Sequence, residues 1–293
     1  MTLFFKKKSL ALFSLVLIWV LTSFFAVSAQ ELNKSSKRGI AYDIASANDM
    51  AALSPGISWW YNWGGSPHPS IASLNHKELY GMDFIPMVWG GDFNDTEMKL
   101  YLLEHPDIKF LLVINEPNLV DQANMSPQEV AEIWPRLETI SQVTGVKLVG
   151  PALNWGTMTG YSDPLVWLNE FYAAYSSAHH GRDPQVDYLA LHWYDYGLED
   201  MLNKLSVYGK PFWVTEFANW HTDGDSLNID TVEKQKQQMS TMVSMLESRS
   251  DVFRYAWFTG RMKDDKHYSS LLGNDGELSE LGQYYLSLPF NQL

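Results

Sequence analysis

The fold is decided by one stretch of the sequence, Lys109-Phe110-Leu111-Leu112-Val113-Ile114-Asn115-Glu116-Pro117-Asn118. Its five consecutive apolar residues, from Phe110 to Ile114, indicate a strand that is buried on both faces. Pro117 has no N–H to give to a sheet ladder, so the strand ends before it. The carboxylate of Glu116 is therefore expected at the carboxyl end of an interior strand, facing a cleft.

The same pattern occurs a second time, in Phe212-Trp213-Val214-Thr215-Glu216. Two buried strands that each end in a glutamate suggest a pair of carboxylates facing one substrate. Cleavage of a glycosidic bond needs such a pair, with one carboxyl protonated and the other ionised. A single glutamate at a strand end is more often a capping or ion-pairing group, so the hypothesis depends on Glu116 and Glu216 occurring together.

Eight predicted strands alternate with helices, at residues 38–43, 57–63, 83–89, 110–114, 147–152, 186–194, 212–216 and 252–258. Such alternation predicts a parallel sheet. Eight units in one domain, residues 38–293, match the length of an α/β fold of the (β/α)8 TIM-barrel type. An open, doubly wound sheet is the alternative, but no phosphate-binding glycine fingerprint supports it. In a barrel, all strand ends meet at one face, and Glu116 and Glu216 would face each other there.

The amino terminus has the layout of a secretory signal peptide. Three lysines at positions 6–8 precede an uncharged run from Leu10 to Val27, and a small-x-small pattern ends at Ala29. We therefore expect a signal peptide at residues 1–29, a disordered polar lead at residues 30–37, and a secreted protein, extracellular or periplasmic. The protein would have no membrane contact once the peptide is removed. An uncleaved membrane anchor is the alternative, because the apolar run is about long enough to cross a bilayer.

Composition excludes several classes of function. A formal net charge of -13 disfavours nucleic acid and anionic lipid as partners, because both require a basic face, whereas a neutral polysaccharide is compatible with it. The absence of cysteine removes thiol catalysis and thiolate metal sites. The eight histidines have no metal-ligand spacing, and no Gly-x-Ser-x-Gly elbow is present. We expect no metal, no cofactor and a monomer.

The strand ends carry amides and flat rings, which suit sugar recognition because the apolar face of a pyranose needs a flat apolar partner. Ordinary core packing is the alternative for each ring. Asn115 is placed to bond a sugar 2-hydroxyl, His192 to donate to a carboxylate or a sugar hydroxyl, and Tyr194 to bond the nucleophile. The candidate substrate-binding residues are Asn62, Trp63, Trp89, Asn115, Asn154, Trp155, His192, Tyr194 and Trp257.

These motifs together resemble glycoside hydrolase family 128, the Asl1-like glycosyl hydrolase catalytic domain. The resemblance covers residues 38 to about 286. It rests on eight motifs in order: Arg38-Gly39-Ile40-Ala41-Tyr42, Trp59-Trp60-Tyr61-Asn62-Trp63, Phe84-Ile85-Pro86-Met87-Val88-Trp89, Asn115-Glu116-Pro117-Asn118, Gly150-Pro151-Ala152, Leu191-His192-Trp193-Tyr194, Trp213-Val214-Thr215-Glu216-Phe217 and Tyr255-Ala256-Trp257-Phe258.

The resemblance implies a (β/α)8 barrel that hydrolyses β-1,3-glucan with retention of configuration, as an endo-β-1,3-glucanase. It implies Glu116 as general acid/base and Glu216 as nucleophile, with a neutral β-glucan as partner. The charge of Glu216 and an apolar mouth would raise the pKa of Glu116. Two alternatives stay open: a barrel glycosidase on another β-glucan, and a secreted non-catalytic β-glucan-binding protein.

Overall fold

The computed structural model describes residues 34–290, and the expected signal peptide lies outside them. These described residues form one compact unit. The disorder predicted for residues 30–37 is wrong from Lys34 onward, because the Nζ of Lys34 donates to three backbone carbonyls at 2.6–3.1 Å. Ser35 and Lys37 are also buried. The folded domain therefore begins earlier than the sequence suggested.

The structure is a single α/β domain with a curled, parallel sheet. The strands within residues 34–290 are β1 (Arg38–Ala41), β2 (Trp59–Tyr61), β3 (Asp83–Phe84), β4 (Met87–Val88), β5 (Phe110–Val113), β6 (Lys147–Leu153), β7 (Tyr188–Trp193), β8 (Phe212–Phe217) and β9 (Val252–Trp257). They pair in the order β3-β2-β1-β9-β8-β7-β6-β5-β4, and every pairing is parallel.

Helices fill the intervals between the strands. Within the described part of the chain they are α1 (Ala47–Leu53), α2 (His76–Tyr80), α3 (Asp95–Glu104), α4 (Pro127–Thr144), α5 (Pro164–Ala178), α6 (Leu198–Leu205), α7 (Val232–Ser248) and α8 (Glu280–Ser287), with a 3-10 turn at Ser206–Tyr208. Helix α4 begins with a capping box, in which Ser126 and Glu129 each accept from the other's backbone N–H.

Nine strands take the place of the eight predicted, because the third predicted strand is divided at Ile85 and Pro86. Pro86 has no N–H for the ladder. The residues before it, β3, pair with β2, and the residues after it, β4, pair with β5. The two strands at the ends of the sheet order are thus separated by only two residues of the chain. The parallel, barrel-like arrangement is confirmed in this form.

The sheet separates two apolar layers. Trp59, Tyr61, Leu112, Trp213 and Ala256 belong to an inner cluster enclosed by the curled sheet. The alternate residues of the same strands pack in a larger outer cluster with the helices. This alternation follows from the two-residue period of a strand. It decides which side chains point to the inside of the curled sheet and which point to the helices.

No helix within residues 34–290 is both long enough and apolar enough to span a bilayer.

The inner layer generates a stability prediction at Gly39. A Cβ at this position would overlap the indole ring of Trp59, which is fully buried. We expect Gly39→Ala to lower the free energy of unfolding by about 1–3 kcal/mol, as overpacking does, measured by urea denaturation. Gly273→Ala is the matched control, because its Cβ would meet only Glu277 O at 3.9 Å. Equal stability of the two variants would contradict the packing argument.

Candidate active site

One cavity of about 740 Å³ lies at the carboxyl ends of the strands. Both glutamates singled out from the sequence line it, together with six of the nine predicted substrate-binding residues. The predicted residues that line it are Trp63, Trp89, Asn115, Glu116, Asn154, Trp155, Tyr194 and Glu216.

The backbone after β5 turns two consecutive side chains into this cavity. Strand alternation would send Asn115 and Glu116 to opposite faces, yet both line the cavity. The strand alternation is broken here because Ile114 and Glu116 adopt φ values of 58° and 44°, a conformation that is rare for residues other than glycine. The strained segment is held by its neighbours, since three consecutive N–H groups donate to carbonyls of β4, of the residue after β4, and of β6, at 2.7–2.8 Å.

Glu216 accepts hydrogen bonds on both carboxylate oxygens. Tyr61 Oη and Trp63 Nε1 donate to its Oε1 at 2.7 and 2.8 Å, and Tyr194 Oη donates to its Oε2. Burial and the charge of Glu216 raise the pKa of the Tyr61 and Tyr194 phenols well above the ordinary value. Both hydroxyls therefore keep their protons and remain donors to this carboxylate.

Glu116 is held on one oxygen only. Asn154 Nδ2 and His192 Nδ1 both lie 3.0 Å from its Oε1. Asn154 is itself positioned by the fully buried Asn118, whose Nδ2 donates to the backbone carbonyls of Asn154 at 2.6 Å and of Tyr161 at 3.2 Å. No hydrogen bond from a residue in the described range 34–290 engages Glu116 Oε2.

His192 connects the two glutamates. Its ring is fully buried on β7, and its Nδ1 lies 3.0 Å from Glu116 Oε1 and 3.3 Å from Glu216 Oε2. Burial lowers the pKa of His192, but the negative charges of Glu216 and Glu116 outweigh it, so the pKa is raised. One oxygen from each glutamate and the histidine Nδ1 all lie within 4.8 Å of one another, which is also a set that could hold a metal ion.

The expected rise in the pKa of Glu116 is wrong. Burial does raise it, but the hydrogen bond and charge of His192 and the amide of Asn154 outweigh burial and lower the pKa of Glu116 below its ordinary value. The sequence offers His192 as a donor to a carboxylate or a sugar hydroxyl, but it does not reveal that Glu116 is the carboxylate that Nδ1 contacts. A donor aimed at the ionised form favours that form.

Three predicted substrate-binding residues do not line the cavity. His192 lies beneath it. Asn62 is used in the turn after β2, where its Nδ2 donates to Asp43 Oδ1 and its Oδ1 accepts from Gly64 N–H. Trp257 is fully buried in the outer layer and donates to the Ser269 carbonyl.

Sequence reasoning also missed several residues of the site, and strand period could have found some of them. Because Trp59 and Trp63 face inward, Tyr61 must face inward as well. The same rule on β9 favours Phe258 over its neighbour Trp257. The lining residues that the sequence did not single out are Leu119, Gln122, Asp195, Trp220, His221, Thr222, Asp223, Phe258 and His267.

Comparison with known proteins gives the chain a family. A family model described as the glycosyl hydrolase catalytic core matches residues 39–285. The chain is 27% identical over 269 residues to alkali-sensitive linkage protein 1 of Schizosaccharomyces pombe, covering 86% of this chain and 45% of that protein. It therefore spans less than half the length of the curated relative that it matches.

Solved structures of glycoside hydrolase family 128 are also similar. A subgroup II endo-β-1,3-glucanase from Pseudomonas viridiflava is 68% identical with a TM-score of 0.88, covering 88% of this chain and all of that chain. A subgroup I endo-β-1,3-glucanase from Amycolatopsis mediterranei, in complex with laminaritriose, is 28% identical with a TM-score of 0.65, and the match covers 86% of this chain and 99% of that chain. The resemblance seen in the sequence motifs is confirmed.

The role of Asn118 can be tested through stability and activity together. Asn118→Ala leaves the buried Asn154 carbonyl and the partly buried Tyr161 carbonyl without this donor. We therefore expect the free energy of unfolding to fall by about 1–3 kcal/mol. Because Asn154 is then held less firmly beside Glu116, hydrolytic activity should fall as well. Urea denaturation and initial rates measure the two effects.

The exposed Asn169→Ala is the matched control, since Asn169 makes a surface contact with Tyr208. An Asn118→Ala protein as stable as this control would contradict the assignment.

Proposed function

Because the chain belongs to the glycosyl hydrolase catalytic-core family and is a glycoside hydrolase, we propose that it is a retaining endo-β-1,3-glucanase. The observation that carries the mechanism is that Glu116 and Glu216 line one cavity, with a carboxylate oxygen of Glu116 within 4.8 Å of a carboxylate oxygen of Glu216. Retaining glycosidases have carboxyl groups about 5–5.5 Å apart, whereas inverting enzymes need about 6.5–9.5 Å to admit a water.

In the first step, Glu216 acts as the nucleophile. Its carboxylate attacks the anomeric carbon, the bond from that carbon to the leaving oxygen breaks, and a glycosyl ester forms. The donors Tyr61, Trp63 and Tyr194 fix the carboxylate, since an ionised carboxylate accepts on both oxygens.

Glu116 supplies the proton for the leaving oxygen. Its Oε1 is held by Asn154 and His192, so Oε2 is the oxygen available to carry the proton toward the substrate. In the second step, Glu116 takes a proton from water, the resulting hydroxide attacks the anomeric carbon, and Glu216 is released as a carboxylate. Since the pKa of Glu116 is lowered, the protonated acid is populated toward acidic pH.

The cavity wall favours a neutral glucan. Trp63, Trp89 and Trp155 offer flat apolar surfaces beside the amides of Asn115 and Asn154. Among the described residues that line the cavity, none is Lys or Arg, while Asp195 and Asp223 add negative charge. A polysaccharide that carries carboxylates or sulfates would be repelled. The family 128 neighbours act on β-1,3-glucans by their descriptions, and one was solved with laminaritriose.

The proposal has further parts. We take the curled sheet as a closed (β/α)8 barrel, in which β3 and β4 are the two halves of one strand. We also propose that residues 1–29 are a signal peptide, that the mature protein is secreted, and that it acts as a monomer on β-glucan. Hydrolysis of another β-glucan is the alternative, because the cavity walls would also suit a different linkage.

Activity on defined glucans tests the assignment. We expect the wild-type protein to release oligosaccharides from laminarin or curdlan in preference to a β-1,4-glucan. Glu116→Gln and Glu216→Gln should each lower kcat by at least about 10³-fold, because each removes a group that reacts directly. Glu104→Gln, at an exposed position, should leave activity unchanged. Full hydrolysis by either active-site variant would remove that glutamate from the mechanism.

Stereochemistry tests the double displacement separately. Proton NMR of an early digest of a β-1,3-glucan should show the β-anomer of the new reducing end before mutarotation, because two inversions restore the configuration. First appearance of the α-anomer would establish inversion and would exclude a glycosyl ester on Glu216.

A further inference from the structure

One histidine contacts both carboxylates of the site without contacting the substrate cavity. His192 Nδ1 lies at nearly equal distances from Glu116 Oε1 and Glu216 Oε2, 3.0 and 3.3 Å, and the residue is fully buried. It does not line the cavity. Any effect of His192 on the reaction must therefore act through the two glutamates.

The other ring nitrogen of His192 is not held. Its Nε2 is buried and has no hydrogen-bond partner among residues 34–290. An active-site imidazole is ordinarily oriented by the bond that its second nitrogen makes. Here the ring has polar contacts on one side only, so a small tilt can favour either glutamate without breaking a bond on the far side.

The charged groups that act on this ring are Glu216 and Glu116. The Tyr61 and Tyr194 hydroxyls also contact Glu216; they donate to it, and their raised pKa values keep them protonated. A carboxylate oxygen accepts and does not donate. The nitrogen that faces both of them, Nδ1, is therefore the one that carries a hydrogen.

Resting on the mechanism proposed above, we propose that His192 is a positioning residue whose single Nδ1–H follows the negative charge between the two glutamates. The N–H is shared while Glu216 is ionised, and it goes to Glu116 alone while Glu216 is esterified.

Charge balance supports this role. When Glu216 attacks, its negative charge is consumed in the new carbon–oxygen bond. In the same step Glu116 gives its proton to the leaving oxygen and becomes a carboxylate, so one negative charge has moved from one acceptor of Nδ1–H to the other. Hydrolysis reverses both changes as water gives its proton to Glu116. A donor placed between the two groups stabilises whichever one is charged.

The kinetic test compares two pH limbs in His192→Ala and Asn154→Ala. The alkaline limb of kcat/KM reports Glu116 as acid in the free enzyme, and the acid limb of kcat reports Glu116 as base in the glycosyl-enzyme when an activated aryl β-glycoside makes deglycosylation limiting. Loss of a donor to a carboxylate raises its pKa, so both limbs should move to higher pH.

The size of the two shifts separates the variants. Asn154 contacts only Glu116 of the pair, so its loss should move both limbs equally. Loss of His192 should move the acid limb of kcat further than the alkaline limb of kcat/KM, by about one pH unit or more. The reason is that in the glycosyl-enzyme the Nδ1–H donates to Glu116 alone. Equal shifts in His192→Ala would overturn the proposal. His192→Asn, which keeps one N–H donor, should recover part of the lost rate.

A second measurement does not depend on the variants folding. The wild-type protein is trapped as the ester of a 2-deoxy-2-fluoro glycosyl fluoride, and its crystal structure is compared with that of the free protein. We expect the Nδ1–Glu216 distance to grow beyond hydrogen-bond range while the Nδ1–Glu116 distance stays near 3.0 Å. An ester with Nδ1 still bonded to Glu216 would refute the role of His192. Failure to form any ester, by mass spectrometry, would instead refute the double displacement.

Discussion

The site depends on burying two like charges side by side. Two carboxylates with oxygens within 4.8 Å repel each other by about 3–4 kcal/mol at an effective dielectric constant of ~20. This repulsion is offset by donors aimed at fixed oxygens: two hydroxyls and an indole on Glu216, an amide on Glu116, and the His192 N–H between them. Because these donors come from several different strand ends, the pair is stable only in the complete fold.

The different surroundings of the two carboxyls explain their different roles. Glu216 accepts on both oxygens, so little room is left for a proton and the group is suited to attack. Glu116 is held on one oxygen, and its second oxygen makes no hydrogen bond to a described residue of the protein, so it can exchange a proton with substrate or water. Different surroundings are the usual reason why, of two chemically identical carboxyl groups, one acts as the acid and the other as the nucleophile.

Much of this could be predicted from the sequence because the relevant signals are local. Apolar runs and their ends predicted most strands to within a few residues. The position of each glutamate at a strand end predicted that both would lie at one end of the parallel sheet. The division of the third strand followed from Pro86 but was not predicted. The ordered contact of Lys34 with distant carbonyls has no local signal at all.

The remaining errors concern the direction in which side chains point and the contacts between residues that are far apart in the sequence. Asn62 and Trp257 lie next to lining residues in the sequence, but strand alternation turns them away. The pKa of Glu116 was assigned the wrong direction because its sign depends on His192, which is far away in the sequence and lies 3.0 Å away in the structure. Such long-range contacts carry no pattern in the chain.

The acid is also connected to the packing of the loop that follows β6. Asn118, two residues after Glu116, donates to backbone carbonyls at both sides of that loop. Gly156 allows this approach, because a Cβ there would collide with the Tyr161 carbonyl and lie 2.7 Å from Asn118 Nδ2. The loop in turn places Asn154 against Glu116 Oε1. The segment that carries Glu116 therefore also holds, through Asn118, the loop whose Asn154 orients Glu116.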